Sequence, residues 1–209
     1  MKSASYIRRE LQAVDAYKSA AVTIGKIEKG MARFGVTRGQ FSMIDAILAC
    51  MEQMNPVKLS IWTWTIADYE VQVIERLIAD GRITYAELII DKAAERKNEA
   101  IIDKWRDRFG DNTVRWLKNH AKIATLDDGE YQICLRGSFN LNFNPRFENF
   151  DWSEGGEAFA LVKQIESELP ILKPTASHKE IYAASGIGSA FTADQLSIFE
   201  NKPLKVWNK

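Results

Sequence analysis

A chain of 209 residues is long enough to bury a substantial core and to form one generous domain with terminal extensions. Hydrophobic residues make up 46% and charged residues 27%, which excludes a disordered or collagen-like chain and fits a soluble globular one. Lys and Arg together number 28, as do Asp and Glu, so net charge offers no overall attraction to a polyanion and any such site has to be a local patch.

The opening residues 1–10 lack the apolar stretch and small-residue cleavage site of a secretory signal, which by default points to a cytoplasmic protein. Residues 4–34 are rich in Ala, Lys, Arg and Glu with loosely spaced apolar positions, and they predict an N-terminal helical extension over 1–35, weakened by Gly25 and Gly30. Phe41, Ile44, Ile47, Leu48, Met51 and Met54 recur at three- and four-residue steps, the mark of an amphipathic helix that Asn55-Pro56 ends. Asp45 interrupts the apolar run 43–51, which is too short to span a bilayer, so no transmembrane helix and no membrane partner is expected.

Residues 57–65 alternate and carry β-branched and aromatic side chains, predicting a strand, and 69–80 follow with a helical pattern closed by Gly81. A nearly continuous apolar strand over 85–90 and a helix over 98–109, ending at Gly110, repeat the alternation. Three short strands come next at 113–116, 120–126 and 131–139, with Asp127-Asp128-Gly129 as a hairpin turn between the last two. Parallel neighbours need crossovers, whereas a hairpin makes antiparallel ones, so the fold class is α/β with a mixed sheet flanked by helices on both faces.

Phe159, Val162, Ile165 and Leu169 mark one more helix, stopped by Pro170, which closes a domain over 36–170. In the C-terminal tail, 171–209, residues 183–190 read as a flexible segment around Gly186 and Gly188. Apolar residues return at Leu196, Ile198, Phe199, Leu204, Val206 and Trp207, so the tail is expected to dock on the domain or on another subunit. Cys50 and Cys134 lie in apolar patterns and read as buried free thiols rather than a disulfide or zinc ligands.

The chemistry concentrates at His120 and Lys122. Two residues apart on a predicted strand, they present a histidine and a cation on one face. Ser138 and Asn140, also two apart, lie near the end of the next strand, which the hairpin folds back beside the first. Such a cluster suits a phosphodiester: imidazole attacks phosphorus, while ammonium, hydroxyl and amide donors hold the non-bridging oxygens. No metal or other cofactor is called for, since neither of the two histidines sits at a metal-ligand spacing.

His120-Ala121-Lys122, followed after four residues by Asp127, resembles the His-x-Lys-x4-Asp signature of the phospholipase D superfamily. Gly137-Ser138-Phe139-Asn140 resembles a variant of its Gly-Ser-x-x-Asn continuation, and the likeness covers 36–170. The nine residues between Asp127 and Gly137 make a longer hairpin than the family's usual one, and the family's asparagine position falls on Leu141, between Asn140 and Asn142. The resemblance implies a phospholipase D-like fold. His120 would be the nucleophile of a phosphohistidine intermediate, Lys122, Asn140 and Ser138 would hold the phosphate, and Asp127 would orient. Glu148 is the candidate acid that holds the histidine in its attacking tautomer.

Superfamily members bring two such motifs to one site and this chain carries one, so a homodimer is implied. Short single-motif members resemble nucleases, which makes metal-independent cleavage of DNA or RNA the leading expectation and nucleic acid the expected partner. The alternative is a non-catalytic nucleic-acid-binding or assembly protein on the same scaffold, similar to small bacteriophage or prophage components. Lipid hydrolysis shares the chemistry but lacks an amphipathic docking segment.

Each residue also has an ordinary explanation. His120 alone is a satisfied histidine at a strand start, Lys122 and Asp127 are a solvated strand position and a turn residue, and Ser138 and Asn140 cap a loop. Trp62 and Trp64 fall on one strand face, where core packing outweighs a base-stacking platform. Arg106, Arg108, Arg115 and Lys118 are offset by Asp103, Asp107 and Asp111, as on a solvated face, and His178 reads as a surface residue.

Overall fold

Alternating inward residues build one sheet. The computed structural model describes residues 11–16, 19–143, 145–172 and 175–186, with the side chains of 11–16 and 94–97 left out. Eight strands pair in the order β1-β2-β8-β7-β6-β3-β4-β5. In chain order the elements are β1 (Leu11–Ala16), α1 (Ala20–Ile24), β2 (Ala32–Thr37), α2 (Met43–Met51), β3 (Val57–Thr63), α3 (Asp68–Ala79) and β4 (Ile83–Asp91). Then follow α4 (Glu95–Phe109), β5 (Val114–Leu117), β6 (Ile123–Asp127), β7 (Gln132–Gly137), β8 (Glu148–Glu154), α5 (Gly156–Glu168) and α6 (His178–Ala184).

β3, β4 and β5 run parallel, joined by α3 and α4 as crossovers, while β6, β7 and β8 are antiparallel hairpin neighbours. The sheet is therefore mixed, with helices on both faces. Ile61, Leu88 and Ile90 join α2, α3 and α4 in the larger core, whereas the alternate residues Trp62 and Ile89 meet Phe159 and Val162 of α5 on the other face. A buried carboxylate pins α5: Glu166 accepts hydrogen bonds from Ser60 and, at 2.8 Å, from the Trp62 indole. Cys50 and Cys134 are buried free thiols, and burial pushes their pKa values up to about 12 and about 11.

The N-terminal helical extension over 1–35 is a misreading. Its described residues hold only a five-residue helix, α1, and the strands β1 and β2, so the boundary at 36 cuts through β2. Composition there favours helix, but β2 pairs antiparallel with β8, and β1 pairs with β2. A partner far along the chain overrides local propensity. β8 was also unread, although Phe150 and Trp152 alternate inward and are fully buried.

The basic stretch is a solvated face only in part: Arg108 is exposed, as are Asp103, Asp107 and Asp111, whereas Arg106 and Arg115 turn inward. Arg115 pairs with buried Glu87 and donates to the Leu169 carbonyl, and Arg106 lies 5.3 Å over the Trp116 ring. At the C-terminal side α6 packs against β5 with Ile181 fully buried, and Ser185 Oγ accepts from the Lys118 amide at 2.8 Å. His178 is exposed in the first turn of α6. The apolar positions at 196–207 and the segment beyond 186 lie outside the described residues. Among the described residues no helix is long and apolar enough to cross a membrane.

Candidate phosphodiester site

Strand direction brings the motif together. β3 and β4 finish at Thr63 and Asp91, and the antiparallel register Trp62 to Ile123 starts β6 at that same end. Ile123 faces Arg136 and Gly137 faces Phe150, so β7 ends and β8 begins there as well. His120, Lys122, Ser138, Asn140 and Glu148 consequently gather where parallel strands deliver their carboxyl ends and antiparallel ones begin. Ligands of open α/β sheets bind at such a place.

His120 and Lys122 do not stand on a strand, as their spacing suggested. β6 begins at Ile123, and the ladder reaches Lys122 only through its carbonyl, which accepts from the Gly137 amide at 3.1 Å. The two side chains meet because the β5–β6 loop curls. The Lys122 ammonium donates to the His120 carbonyl at 2.7 Å and lies 3.1 and 3.2 Å from the two ring nitrogens, committed to neither. Lys122 is only 7% exposed, and burial lowers its pKa from the ordinary 10.5, with Glu148 nearby acting in the opposite sense. His120 itself is exposed. A desolvated cation beneath an accessible imidazole suits an anion that approaches from solvent.

Asn119, which no sequence motif marks, holds this loop in place. It is 5% exposed, and its amide nitrogen donates to the carbonyls of Thr63 at 3.1 Å, Ile89 at 3.4 Å and Ala121 at 3.3 Å. Its Oδ1 accepts from the Ala121 amide at 2.9 Å, and its own backbone amide donates to Asp91 at 2.8 Å. One side chain thus ties the ends of β3 and β4 to the residue after His120. The only signal in the sequence was its place beside the histidine.

Ser138 and Glu148 are joined: the serine hydroxyl donates to the Glu148 carboxylate and accepts from the Asn149 amide at 3.1 Å. Glu148 makes no hydrogen bond to His120, so its position beside Lys122 and Ser138 differs from that of a tautomer-holding acid. Asn140 Oδ1 accepts from the Trp64 amide at 3.3 Å. Gly137 has a steric reason, since a Cβ there would fall 2.5 Å from the Asn149 carbonyl. Asp127 is not part of the cluster. Five residues from Lys122 along the chain, about 16 Å away at strand rise, it accepts from Gly129 in the hairpin turn at 2.9 Å.

The two tryptophans part company. Trp62 is core, but Trp64 lies beyond the strand end, 37% exposed, with its ring centroid 6.3 Å from that of His120.

No protein-family model and no curated protein matches this sequence. Among solved structures, the chain is similar to phosphatidylserine synthase from Haemophilus influenzae Rd KW20, at TM-score 0.49 and 16% identity over 81% of this chain and 46% of that one. It is also similar to TrmBL2, an archaeal chromatin protein described as showing a novel mode of DNA binding, at TM-score 0.40 and 16% identity over 68% of this chain and 52% of that one. The chain spans about half the length of either protein.

Proposed function

We propose that this chain is a phospholipase D-like phosphodiesterase that acts on nucleic acid without a metal, as a homodimer with one shared active site. The observation that carries the reading is the meeting of His120 with the buried Lys122 ammonium, 3.1 and 3.2 Å from its ring nitrogens, next to the Ser138–Glu148 pair. Neutral His120 attacks phosphorus, the bond to the leaving oxygen breaks, and the His120 of a second subunit donates the proton that oxygen needs. That second imidazole then takes a proton from water, whose oxygen displaces His120 and restores both rings. Lys122 holds a non-bridging oxygen throughout, and it does so strongly because its ammonium is desolvated.

Glu148 suggests a second reading. Its bond goes to Ser138 and leaves His120 without a carboxylate partner among the described residues, which favours a non-catalytic nucleic-acid-binding protein on the same scaffold. Hydrolysis of a generic phosphodiester, DNA and RNA in EDTA, with vanadate or tungstate as inhibitor, separates the two. Turnover in EDTA that oxyanions suppress supports the enzyme, and binding of nucleic acid without turnover supports the scaffold.

A further inference from the structure

Among the described residues the exposed large aromatics are Trp64, Tyr69, Tyr85, Phe143, Phe147 and Tyr182. Trp64 belongs to the β3–α3 connection beside His120, Tyr69 lies in the first turn of α3 that follows it, and Phe143 and Phe147 belong to the β7–β8 connection. These connections are laced together. Ile66 bridges Leu141, the Ala67 amide donates to the Leu141 carbonyl at 3.2 Å, and the Leu141 amide donates to Thr63 Oγ1 at 3.0 Å. Asn140 fixes the backbone of Trp64 itself.

Trp64 is the exception among the described tryptophans, since Trp62, Trp105, Trp116 and Trp152 are all buried. Its backbone is held by Asn140, and its ring is exposed and tilted 50° to the imidazole at 6.3 Å between centroids. Charges interleave with the surrounding rings: Arg38 lies 5.5 Å over Phe147, Glu148 follows Phe147, and Asp68 pairs with Lys104 beside Tyr69. An acyl chain finds no continuous apolar surface in that mixture, whereas a chain of alternating phosphates and flat bases matches it.

We propose that Trp64 is a stacking platform for an unpaired base, so that the site takes single-stranded nucleic acid with a base on the indole and the neighbouring phosphate at His120 and Lys122. This rests on the phosphodiester reading above and adds the form of the substrate. Bases within a duplex are already stacked on one another and cannot cover the indole without being turned out, which selects single strands and unpaired ends. Trp64 is a positioning residue: it holds the nucleotide and takes no part in bond making.

The test is binding, by fluorescence anisotropy, with the full chain carrying His120→Ala so that the ligand is not cut. The ligands are an oligothymidylate, an abasic chain of equal length with the same phosphates, and a duplex. The oligothymidylate should bind roughly ten- to a hundredfold more tightly than the abasic chain. Trp64→Ala should erase that preference without changing abasic binding, and Trp64→Phe should keep most of it. Equal binding of oligothymidylate and abasic chain, or equal weakening of both by Trp64→Ala, overturns the platform and leaves the phosphodiester reading standing. Failure of both chains to bind removes that reading, and the platform with it. Trp64-dependent binding of phosphatidylcholine–phosphatidylserine vesicles without oligonucleotide binding makes the residue a membrane anchor and also overturns the proposal.

Discussion

Lys122 is an amine the fold keeps out of water, and its lowered pKa records the cost. Below the folded-state pKa that cost is fully present. It fades as pH rises from there toward 10.5, because the unfolded chain then holds the proton that the folded chain has released. Lys122→Met should therefore melt at the same temperature as the parent or higher at neutral pH, with the gap closing in alkali, while phosphate and vanadate no longer stabilise it. Thermal melts across pH, with and without phosphate, check both halves. Asn119 makes the opposite case. Its removal strands buried carbonyls and the Ala121 amide, so Asn119→Ala should cost roughly 1–3 kcal/mol in a urea melt and lower turnover more than substrate binding. Of the six residues singled out by spacing and by the family resemblance, His120, Lys122, Ser138, Asn140 and Glu148 gather at one end of the sheet, whereas Asp127 remains in the turn. Asn119 was illegible because the bonds that place it, to the Thr63 and Ile89 carbonyls, reach backbone of strands remote in sequence, and a spacing rule sees only side chains.

At the scale of elements, β7 and β8 carry Ser138 and Glu148 into register, and their pairing depends on Gly137. Gly137→Ala sets a methyl carbon 2.5 Å from the Asn149 carbonyl, backbone against side chain, with no flexible group to yield. It should destabilise by roughly 1–3 kcal/mol and part Ser138 from Glu148. Paired urea melts of the variant and the parent measure the first, and hydrogen exchange at the Ser138 and Asn149 amides, bonded at 3.0 and 3.1 Å, reports the second. The strands and helices from α2 to β7 were legible because each carries its own period: Ile61 and Trp62 alternate to opposite faces, and Val71, Ile74 and Leu77 recur along α3. β1, β2 and β8 were not. They exist as a strip whose members confirm one another, and the Ala, Lys, Arg and Glu of residues 4–34 read as helix until β8 supplies β2 with a partner and β2 supplies β1 with one. The placement of His120 on a strand failed for a related reason, since nothing local distinguishes a strand's first residues from the curl before them.

For the whole molecule, a single His120 supplies either a nucleophile or an acid, never both in one step, so the proposed chemistry requires two chains. Sedimentation should show a particle of twice the chain mass, and dilution that dissociates it should abolish turnover; a monomer that still cleaves contradicts the shared site. The proposed chemistry turns on one event, the covalent attachment of His120 to phosphorus. Mixing the protein with a single-stranded oligonucleotide in EDTA, quenching without acid and measuring intact mass tests it directly. An adduct heavier than the chain by one oligonucleotide fragment is expected, mapped to His120 and absent from His120→Ala, whose cleavage rate falls by on the order of 10⁴ or more. Cleavage by His120→Ala at a rate near that of the parent, or the same adduct formed on that variant, would contradict it.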